Sequence, residues 1–144
     1  MLTFTWPVRV YYEDTDAGGV VFYANYLKFL ERARTEWLRA VGYEQDALRA
    51  RCGILFAVRR VAIDYLAPAR LDDCLSVTSC LVRAGGASLE FDQQVMRDGD
   101  GTCCCRAAVK IACIDIATLR PARLPGDLLS ELLPFASGPA EPLS

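Results

Sequence analysis

The apolar residues of this chain keep a helical spacing over one long stretch and a strand spacing on either side of it. From Tyr23 to Val41 they recur at steps of three and four positions, which predicts one amphipathic helix that ends at Gly42. One strand pattern precedes this helix, and four follow it in succession. The order predicts an α+β domain in which a five-stranded antiparallel sheet is wrapped around one long central α-helix.

The strands are predicted from apolar residues that alternate with polar ones. Gly85-Gly86 predicts a turn, and the DGDG sequence at Asp98–Gly101 predicts a hairpin. Shorter helices are predicted near Glu44–Arg51 and over Pro125–Phe135. The five predicted strands are Phe4–Tyr12, Ile54–Leu66, Leu71–Arg83, Ala87–Arg97 and Thr102–Asp115. With no repeat and no linker, we expect one domain over residues 1–136 and a flexible C-terminal tail over 137–144.

The charge balance argues against a nucleic-acid partner. The chain has 16 Lys and Arg against 18 Asp and Glu, a formal net charge of -2, and its basic residues are not gathered in one stripe. No apolar run approaches the roughly 20 residues that cross a bilayer, and the N-terminus lacks the pattern of an export signal. We therefore expect a cytoplasmic protein without membrane insertion.

Seven cysteines and no histidine restrict the chemistry of the chain. An odd number of cysteines without an export signal favours reduced thiols, and the run at 103–105 would alternate between the faces of a strand instead of converging on a metal. Inert thiols buried in the core are the favoured interpretation. Without an imidazole, Ser-His-Asp and Cys-His nucleophile systems and His-ligated catalytic metals are excluded.

The segment between the first strand and the long helix carries the candidate chemistry. Glu13, Asp14 and Asp16 are followed by Gly18-Gly19 and then by the helix start. The N–H groups of a helix start can stabilise an oxyanion, and a nearby carboxylate can attack a carbonyl or activate water. Taken alone, however, these residues favour a simpler interpretation, in which the acids cap the helix and the glycines form a turn.

The stretch YEDTDAGGVVFYANYLKFLERARTEWLR closely resembles the signature of the YbgC-like and 4-hydroxybenzoyl-CoA thioesterases, a hot-dog-fold family. The resemblance continues through IDYLAPARLDD at Ile63–Asp73. It implies the hot-dog fold and hydrolysis of an acyl-CoA to a carboxylic acid and free CoA, with no cofactor beyond the CoA of the substrate. It also implies a homo-oligomer, either a dimer with shared sites or a dimer of dimers, that is, a homotetramer.

The resemblance further implies roles for individual residues. The second aspartate of the D-x-D element falls on Asp16, the catalytic carboxylate, and the backbone amide at Tyr23 polarises the thioester carbonyl. Apart from the resemblance, Ser88 is a candidate for lining the cleft because of its place on a predicted strand. Arg83, beside the Gly85-Gly86 turn, is the first candidate among the basic residues for binding a CoA phosphate. The substrate-binding residues in the matched segment are Gly19, Val20, Val21, Asn25 and Tyr26.

Tyr23 stands where many YbgC-like members carry a His, and this leaves several functions open. In the favoured one, Asp16 attacks the thioester carbonyl or activates water. A non-hydrolytic module that binds acyl-CoA or acyl carrier protein could use the same cleft. Dehydration of a hydroxyacyl thioester is disfavoured, because hot-dog dehydratases depend on His. Glu31 on the helix could also supply a carboxylate, although a pair with Arg34 or Thr35 explains it more simply.

Overall fold

The computed structural model describes residues 3–136 and shows a five-stranded antiparallel sheet with three α-helices. The strands are β1 (Phe4–Arg9), β2 (Ile54–Tyr65), β3 (Cys74–Gly85), β4 (Ser88–Arg97) and β5 (Cys103–Asp115). The helices are α1 (Asn25–Ala40), α2 (Gln45–Cys52) and α3 (Gly126–Leu132), and short 3-10 helices lie at Tyr12–Asp14 and Leu133–Phe135. The predicted tail over 137–144 lies outside the described residues.

The strands lie in the order β1-β3-β4-β5-β2, and every neighbouring pair is antiparallel. In the turn between β3 and β4, Gly86 has a φ of +59°, a left-handed conformation that favours glycine. In the predicted DGDG hairpin, the Gly101 N–H donates to the Arg97 carbonyl at 2.8 Å. The α+β class and the five-stranded antiparallel sheet predicted from the sequence are therefore confirmed.

The longest described helix, α1, is shorter than the predicted helix from Tyr23 to Val41. It spans 16 residues, and the helical structure is divided among three helices instead of forming a single long one. Gly42, two residues after the end of α1, has a φ of +103°. A glycine in this left-handed region is common just after a helix C-terminus. Trp37 meets Phe91 of β4 edge to face, with ring centroids 5.2 Å apart, so α1 packs on the sheet. Its buried residues are Tyr26, Phe29, Leu30, Ala33, Trp37 and Leu38.

Two strands each have one end that lies three residues inside the predicted range, because carboxylates stabilise turns at those ends. β1 stops three residues earlier than predicted; beyond it, the Asp14 carboxylate accepts the Tyr11 N–H at 2.9 Å and holds a 3-10 turn. β3 starts three residues later than predicted; before it, the Asp73 carboxylate accepts the Arg70 N–H at 2.8 Å. A hydrogen bond from a side chain to a nearby N–H competes with the strand ladder.

All seven cysteines lie in the described part of the chain, and no disulfide joins them. Cys104, Cys105 and Cys113 are buried, as predicted, and burial raises the pKa of Cys105 to about 12. Cys52 and Cys74 are exposed, so the prediction of buried thiols is wrong for these two. Each lies at the end of its element, where the apolar face no longer meets the core.

A polar network lies inside the core between α1 and the sheet. Gln93 of β4 and Ser79 of β3 are fully buried. The Gln93 side-chain N–H₂ donates to the Ser79 hydroxyl at 2.9 Å and to the Leu30 carbonyl at 3.0 Å, while its Oε1 accepts from the Arg34 guanidinium at 2.9 Å. The amide is thereby satisfied, as burial of a polar group requires. The network joins α1 to the two central strands beneath it.

The connection between β2 and β3, residues 66–73, is anchored by hydrogen bonds to β5 and to β4. Its first two N–H groups donate to the Cys104 carbonyl, at 2.8 and 3.1 Å. The Arg97 guanidinium donates to the Pro68 carbonyl at 2.7 Å and to the Asp100 carboxylate through two hydrogen bonds of 2.8 and 3.0 Å. Arg97 therefore links this connection to the β4–β5 hairpin.

Replacing Asp100 by Asn should lower the melting temperature at neutral pH by a small amount, about 2 °C or less, because exposed ion pairs contribute little. The hydrogen bond from Arg97 holds the pKa of the Asp100 carboxyl well below its ordinary value. A depressed pKa stabilises the fold above the pKa of the unfolded chain, about 3.9, and this contribution is lost as the pH falls through the folded value. Thermal melts of the parent and of the Asp100→Asn variant from pH 7 to pH 2 measure this contribution.

The difference between the parent and the Asp100→Asn variant should be constant from pH 7 to pH 5 and narrow below about pH 4. Asp92→Asn, which changes an exposed carboxylate of β4, serves as the control and should show no such dependence. A difference that widens as the pH falls would contradict this account of the pair.

Candidate active site

The acidic segment before α1 folds into a short hairpin. Thr15 and Val21 form an isolated bridge, the Asp16 N–H donates to the Val20 carbonyl at 2.9 Å, and the Gly19 N–H donates to the Asp16 carbonyl at 3.0 Å. Gly19 has a φ of +77°, again in the region that favours glycine. Four of the residues predicted to form the site thus lie in one tight loop.

The Asp16 carboxylate is exposed and is oriented by its own loop. Its Oδ1 accepts the Gly18 N–H at 2.8 Å, whereas no group of residues 3–136 donates to its Oδ2. A Cβ added at position 18 would lie 3.2 Å from Oδ1, so a glycine here leaves the carboxylate in place. Asp16 therefore presents a held carboxylate with one oxygen available to a substrate or to water.

Asp14, the first acid of the D-x-D element, has a structural role. It is only 7% exposed, and its carboxylate accepts the Tyr11 N–H at 2.9 Å. It therefore caps the 3-10 turn at Tyr12–Asp14 and is not a solvated group. Its carbonyl accepts the Asn25 side-chain amide at 2.9 Å and the Phe22 N–H at 3.0 Å. Asn25 is the first residue of α1, and its side chain thereby ties the helix start to the acidic loop.

Tyr23 lies two residues before the first residue of α1, where backbone N–H groups lack helical partners. Its carbonyl accepts the Tyr65 hydroxyl at 3.2 Å, but no acceptor in residues 3–136 bonds its N–H. The helix has no side-chain cap at its N-terminus and no acidic residue in its first turn. The Tyr23 N–H is thus a donor that the carbonyl oxygen of a bound molecule can use.

A mainly apolar cavity of about 300 Å³ opens beside Tyr23. The rings of Tyr23 and Tyr65 meet at nearly a right angle with centroids 6.0 Å apart, and Tyr26 lies 5.7 Å from Tyr65. The buried Tyr26 hydroxyl accepts the Ala69 N–H at 3.0 Å, and burial raises its pKa, so it remains a neutral phenol at physiological pH. The walls are Val21, Tyr23, Tyr26, Tyr65, Leu66, Ala67 and Pro68.

Sequence reasoning missed Tyr65 as a residue of this cavity. Tyr65 ends β2 and is 47% exposed, and it reaches Tyr23 across 42 positions of sequence. The stretch IDYLAPARLDD contains it, but no spacing in the chain connects this tyrosine with the helix start. The sequence signal that could have identified Tyr65 was an aromatic residue near the end of a predicted strand, within a stretch that shares the family resemblance.

The structure places Ser88 and Arg83 at the opposite end of the sheet from this cavity. Val95 pairs with Cys105, and Cys105 pairs with Tyr65. Ser88 lies seven positions from Val95 along β4, about 23 Å at the rise of a strand. Arg83 is exposed near the same end. A single chain therefore brings neither residue to Tyr23.

These features supply components of an acyl-transfer site. Asp16 offers a carboxylate, Tyr23 offers an unpaired N–H, and the cavity offers space for an apolar group, although Asp16 does not line that cavity in the single chain. Among residues 3–136, no cluster of three or more His, Cys, Asp or Glu side chains is arranged to bind a metal ion. The helices described there are all too short or too polar to cross a membrane.

Comparisons with known proteins identify the family of this chain. Residues 10–132 match the model of the thioesterase-like superfamily. The acyl-CoA thioester hydrolase YbgC of Escherichia coli O6:H1 is 45% identical over 89% of this chain and 94% of its own length. The long-chain acyl-CoA thioesterase FadM of Escherichia coli K12 is 32% identical over 76% and 81% of the two chains.

A solved structure gives the same fold. The 1,4-dihydroxy-2-naphthoyl-CoA thioesterase from Synechocystis superposes with a TM-score of 0.82 at 25% identity, covering 90% of this chain and 95% of the other. The resemblance to YbgC-like thioesterases and to the hot-dog fold stated from the sequence is confirmed. The chain belongs to the thioesterase-like superfamily, and the protein is a thioester hydrolase.

Proposed function

We propose that the protein hydrolyses an acyl-CoA to a carboxylic acid and free CoA, with Asp16 as the catalytic carboxylate and the Tyr23 N–H as the oxyanion donor. The observation that carries the proposal is the unpaired Tyr23 N–H beside an apolar cavity, at the end of the hairpin that carries Asp16. The acyl-CoA activities named for YbgC and FadM support the substrate class.

Two routes use the same residues. In the first, an Asp16 oxygen attacks the thioester carbon, the C–S bond breaks, CoA leaves as a thiolate and takes up a proton, and water then hydrolyses the mixed anhydride. In the second, Asp16 takes a proton from water as that water attacks, and the proton passes to the departing sulfur. In both, negative charge develops on the carbonyl oxygen, and the Tyr23 N–H stabilises it, which can lower the barrier by about 3–4 kcal/mol.

The remaining residues of the loop hold these two groups in place. Gly19 and Val20 form the hairpin turn that presents Asp16, and Val21 and Tyr26 form walls of the cavity. Asn25 fixes the loop by donating to the Asp14 carbonyl. A chemical step with these residues needs no metal and no redox cofactor. The chain has no His, so the carboxylate must act without an imidazole.

Oligomerisation would complete the site. The edge strand β2 pairs only with β5 among the described strands, and an open edge is a template for pairing with another chain. Val58 and Val61 of β2 are 52% and 37% exposed. We propose that two copies join along β2, with the sheet curved around α1, and that a partner subunit brings Ser88 or Arg83 toward the bound CoA. A dimer of dimers and a cytoplasmic location remain predictions.

The binding-module alternative uses the same cleft for acyl-CoA or for acyl carrier protein without turnover. A thiol-release assay across short-chain, long-chain and aromatic acyl-CoAs separates the two functions, because a binder shows saturable affinity with no release of CoA. Incubation with a 3-hydroxyacyl thioester addresses dehydration and should yield no enoyl product, since the chain has no His. The hydrolase names of the relatives favour turnover.

Replacing Asp16 by Asn should lower kcat at least 100-fold, since removal of a nucleophile or general base has effects of that size. The Asn side-chain oxygen can still accept the Gly18 N–H, so the loop should keep its conformation. Thiol release from the best acyl-CoA of the panel measures the effect. Glu13→Gln, an exposed acid of the same segment, is the matched control and should keep the parent rate. An Asp16→Asn protein with parental kcat would refute the assignment.

Replacing Tyr65 by Phe should lower kcat about twofold to tenfold, because the variant keeps the ring but loses the hydroxyl that bonds the Tyr23 carbonyl. Tyr43→Phe is the control, since the Tyr43 hydroxyl bonds to Glu131 away from the cavity. Steady-state kinetics and a thermal melt on both variants measure the effect. Equal losses of kcat in the two variants would show that Tyr65 has no particular role at the site.

Charges introduced on the open edge should weaken self-association. The double variant Val58→Glu and Val61→Glu places two like charges on β2 of each copy, and light scattering should show dissociation at concentrations where the parent is a dimer or larger. Leu119→Glu, which alters an exposed apolar residue outside the strands, is the control. A parent protein that is already monomeric would contradict the proposed interface.

A further inference from the structure

One peptide unit in the connection between β2 and β3, the unit that joins Pro68 to Ala69, is held on both of its sides. Its N–H, on Ala69, donates to the buried Tyr26 hydroxyl at 3.0 Å. Its carbonyl, on Pro68, accepts a hydrogen bond of 2.7 Å from the Arg97 guanidinium. Because a peptide unit is planar, the carbonyl and the N–H turn together. The contact with Arg97 therefore sets the direction of the donor to Tyr26.

The Ala69 side of this 68–69 peptide unit reaches the segment that presents the Tyr23 N–H. Tyr26 lies in the first turn of α1, and its ring forms a wall of the cavity beside Tyr23. The Ala69 carbonyl accepts the Val21 N–H at 2.8 Å. Val21 and Tyr26 flank Tyr23 in the sequence, so the direction of the Tyr23 N–H depends on where Ala69 is held.

Arg97 is fixed in the orientation that its contact with Pro68 needs. Its Nε and Nη2 donate to the two oxygens of the Asp100 carboxylate at 3.0 and 2.8 Å, and its Nη1 is the donor to the Pro68 carbonyl. The Thr102 N–H donates to Asp100 at 3.1 Å, which holds the carboxylate in turn. A bidentate pair fixes the plane of a guanidinium. Since only 19% of the Arg97 side chain is exposed, Arg97 is not a mobile surface group.

A charged donor on the carbonyl also strengthens the hydrogen bond on the far side of the peptide unit. The guanidinium draws electron density toward the Pro68 oxygen, which makes the Ala69 N–H a stronger donor to Tyr26. Proline has no N–H of its own, so the carbonyl is the backbone group by which Pro68 can be held. Arg97 thus acts on both the direction and the strength of the bond from Ala69 to Tyr26.

We propose that Arg97 is a positioning residue for hydrolysis, which holds the 68–69 peptide unit and, through the Tyr26 hydroxyl, keeps the Tyr23 N–H aimed at the substrate carbonyl. Arg97 is not among the residues that line the cavity, so it acts through other groups. Because Tyr23 is the oxyanion donor of the proposed function, this role of Arg97 rests on that function. A displacement of about 1 Å at a catalytic group can cost about 100-fold in rate.

Replacing Arg97 by Met should lower kcat about tenfold or more and change KM about twofold or less, because the substrate contacts remain. Arg97→Lys keeps a charged donor for the Pro68 carbonyl but loses the fork to Asp100, so it should recover part of the loss. Arg106→Met, which alters an exposed arginine of β5, is the control and should keep the parental rate.

Thiol release is measured well below the melting temperature of each variant, so that unfolding does not contribute to the loss. Arg97→Met with parental kcat would show that Arg97 serves stability alone and would overturn the proposal. An Arg97→Lys protein as impaired as Arg97→Met would overturn it as well, because a charged donor to the Pro68 carbonyl would then make no difference.

A second substrate tests whether Arg97 acts on the peptide unit or on CoA itself. The N-acetylcysteamine thioester of the same acyl group lacks the phosphates of CoA. Arg97→Met should lower kcat by the same factor on both thioesters, because the oxyanion forms in both reactions. A defect confined to the CoA thioester, seen as a raised KM, would contradict the proposal, since Arg97 would then bind a phosphate.

Backbone NMR detects the contact without turnover. In Arg97→Met the Ala69 amide proton should move upfield, because its hydrogen bond to Tyr26 weakens, and the Tyr23 amide signal should shift with it. Neither signal should move in Arg106→Met. Unchanged Ala69 and Tyr23 signals in a folded Arg97→Met protein would refute the path through the 68–69 peptide unit.

A double-mutant cycle with Tyr26→Phe tests the same path in the kinetics. If Arg97 acts through the Tyr26 hydroxyl, the double variant should lose no more kcat than the more impaired of the two single variants. Losses that multiply would overturn the proposal. Parental kcat in Asp16→Asn together with the expected loss in Arg97→Met would refute only the catalytic role of Asp16, whereas the reverse pair of results would refute only the role of Arg97.

Discussion

The candidate site depends on the two backbone hydrogen bonds of Ala69. Its N–H donates to the buried Tyr26 hydroxyl at 3.0 Å, and its carbonyl accepts the Val21 N–H at 2.8 Å. These partners lie on either side of Tyr23 in the sequence, so both ends of the segment that presents the free N–H are fixed to one residue. Because Ala69 is fully buried, losing either bond would leave a buried polar group unsatisfied, which costs about 1–3 kcal/mol.

The sheet could be predicted from the sequence because side chains alternate between its faces. Leu89, Phe91 and Val95 of β4 are buried as their spacing predicted, since a period of two assigns each residue to a face. Gln93 lies on the same buried face, and there the pattern fails. The hydrogen-bonding groups of its buried amide are satisfied by Ser79 of the neighbouring strand and by Arg34 of α1. Neither contact has a signature in the local sequence.

The site could be predicted only where its residues are neighbours in the sequence. Asp16 and Tyr23 belong to one continuous segment, so a linear motif was enough to propose them together. Tyr65 ends β2 and Ala69 lies in the connection that follows it, so their contacts with the segment around the start of α1 depend on how that part of the chain packs. Ser88 was proposed from its sequence position, but a position along a strand does not show which end of the sheet reaches the helix start.

The contacts at the helix start contradict the simpler interpretation, in which the acids of the D-x-D element cap α1. The Asp14 carboxylate bonds to the Tyr11 N–H, and the Asp16 carboxylate bonds to the Gly18 N–H, so neither acid caps the helix. An N-terminal cap typically contributes about 1 kcal/mol, and α1 lacks one. Burial of a large apolar side chain such as Phe29 contributes about 1.5–3 kcal/mol, which offsets the missing cap. The helix therefore remains stable without a side-chain cap. The Tyr23 N–H, just before the helix, stays unpaired, as a donor for a developing oxyanion has to be before the substrate binds.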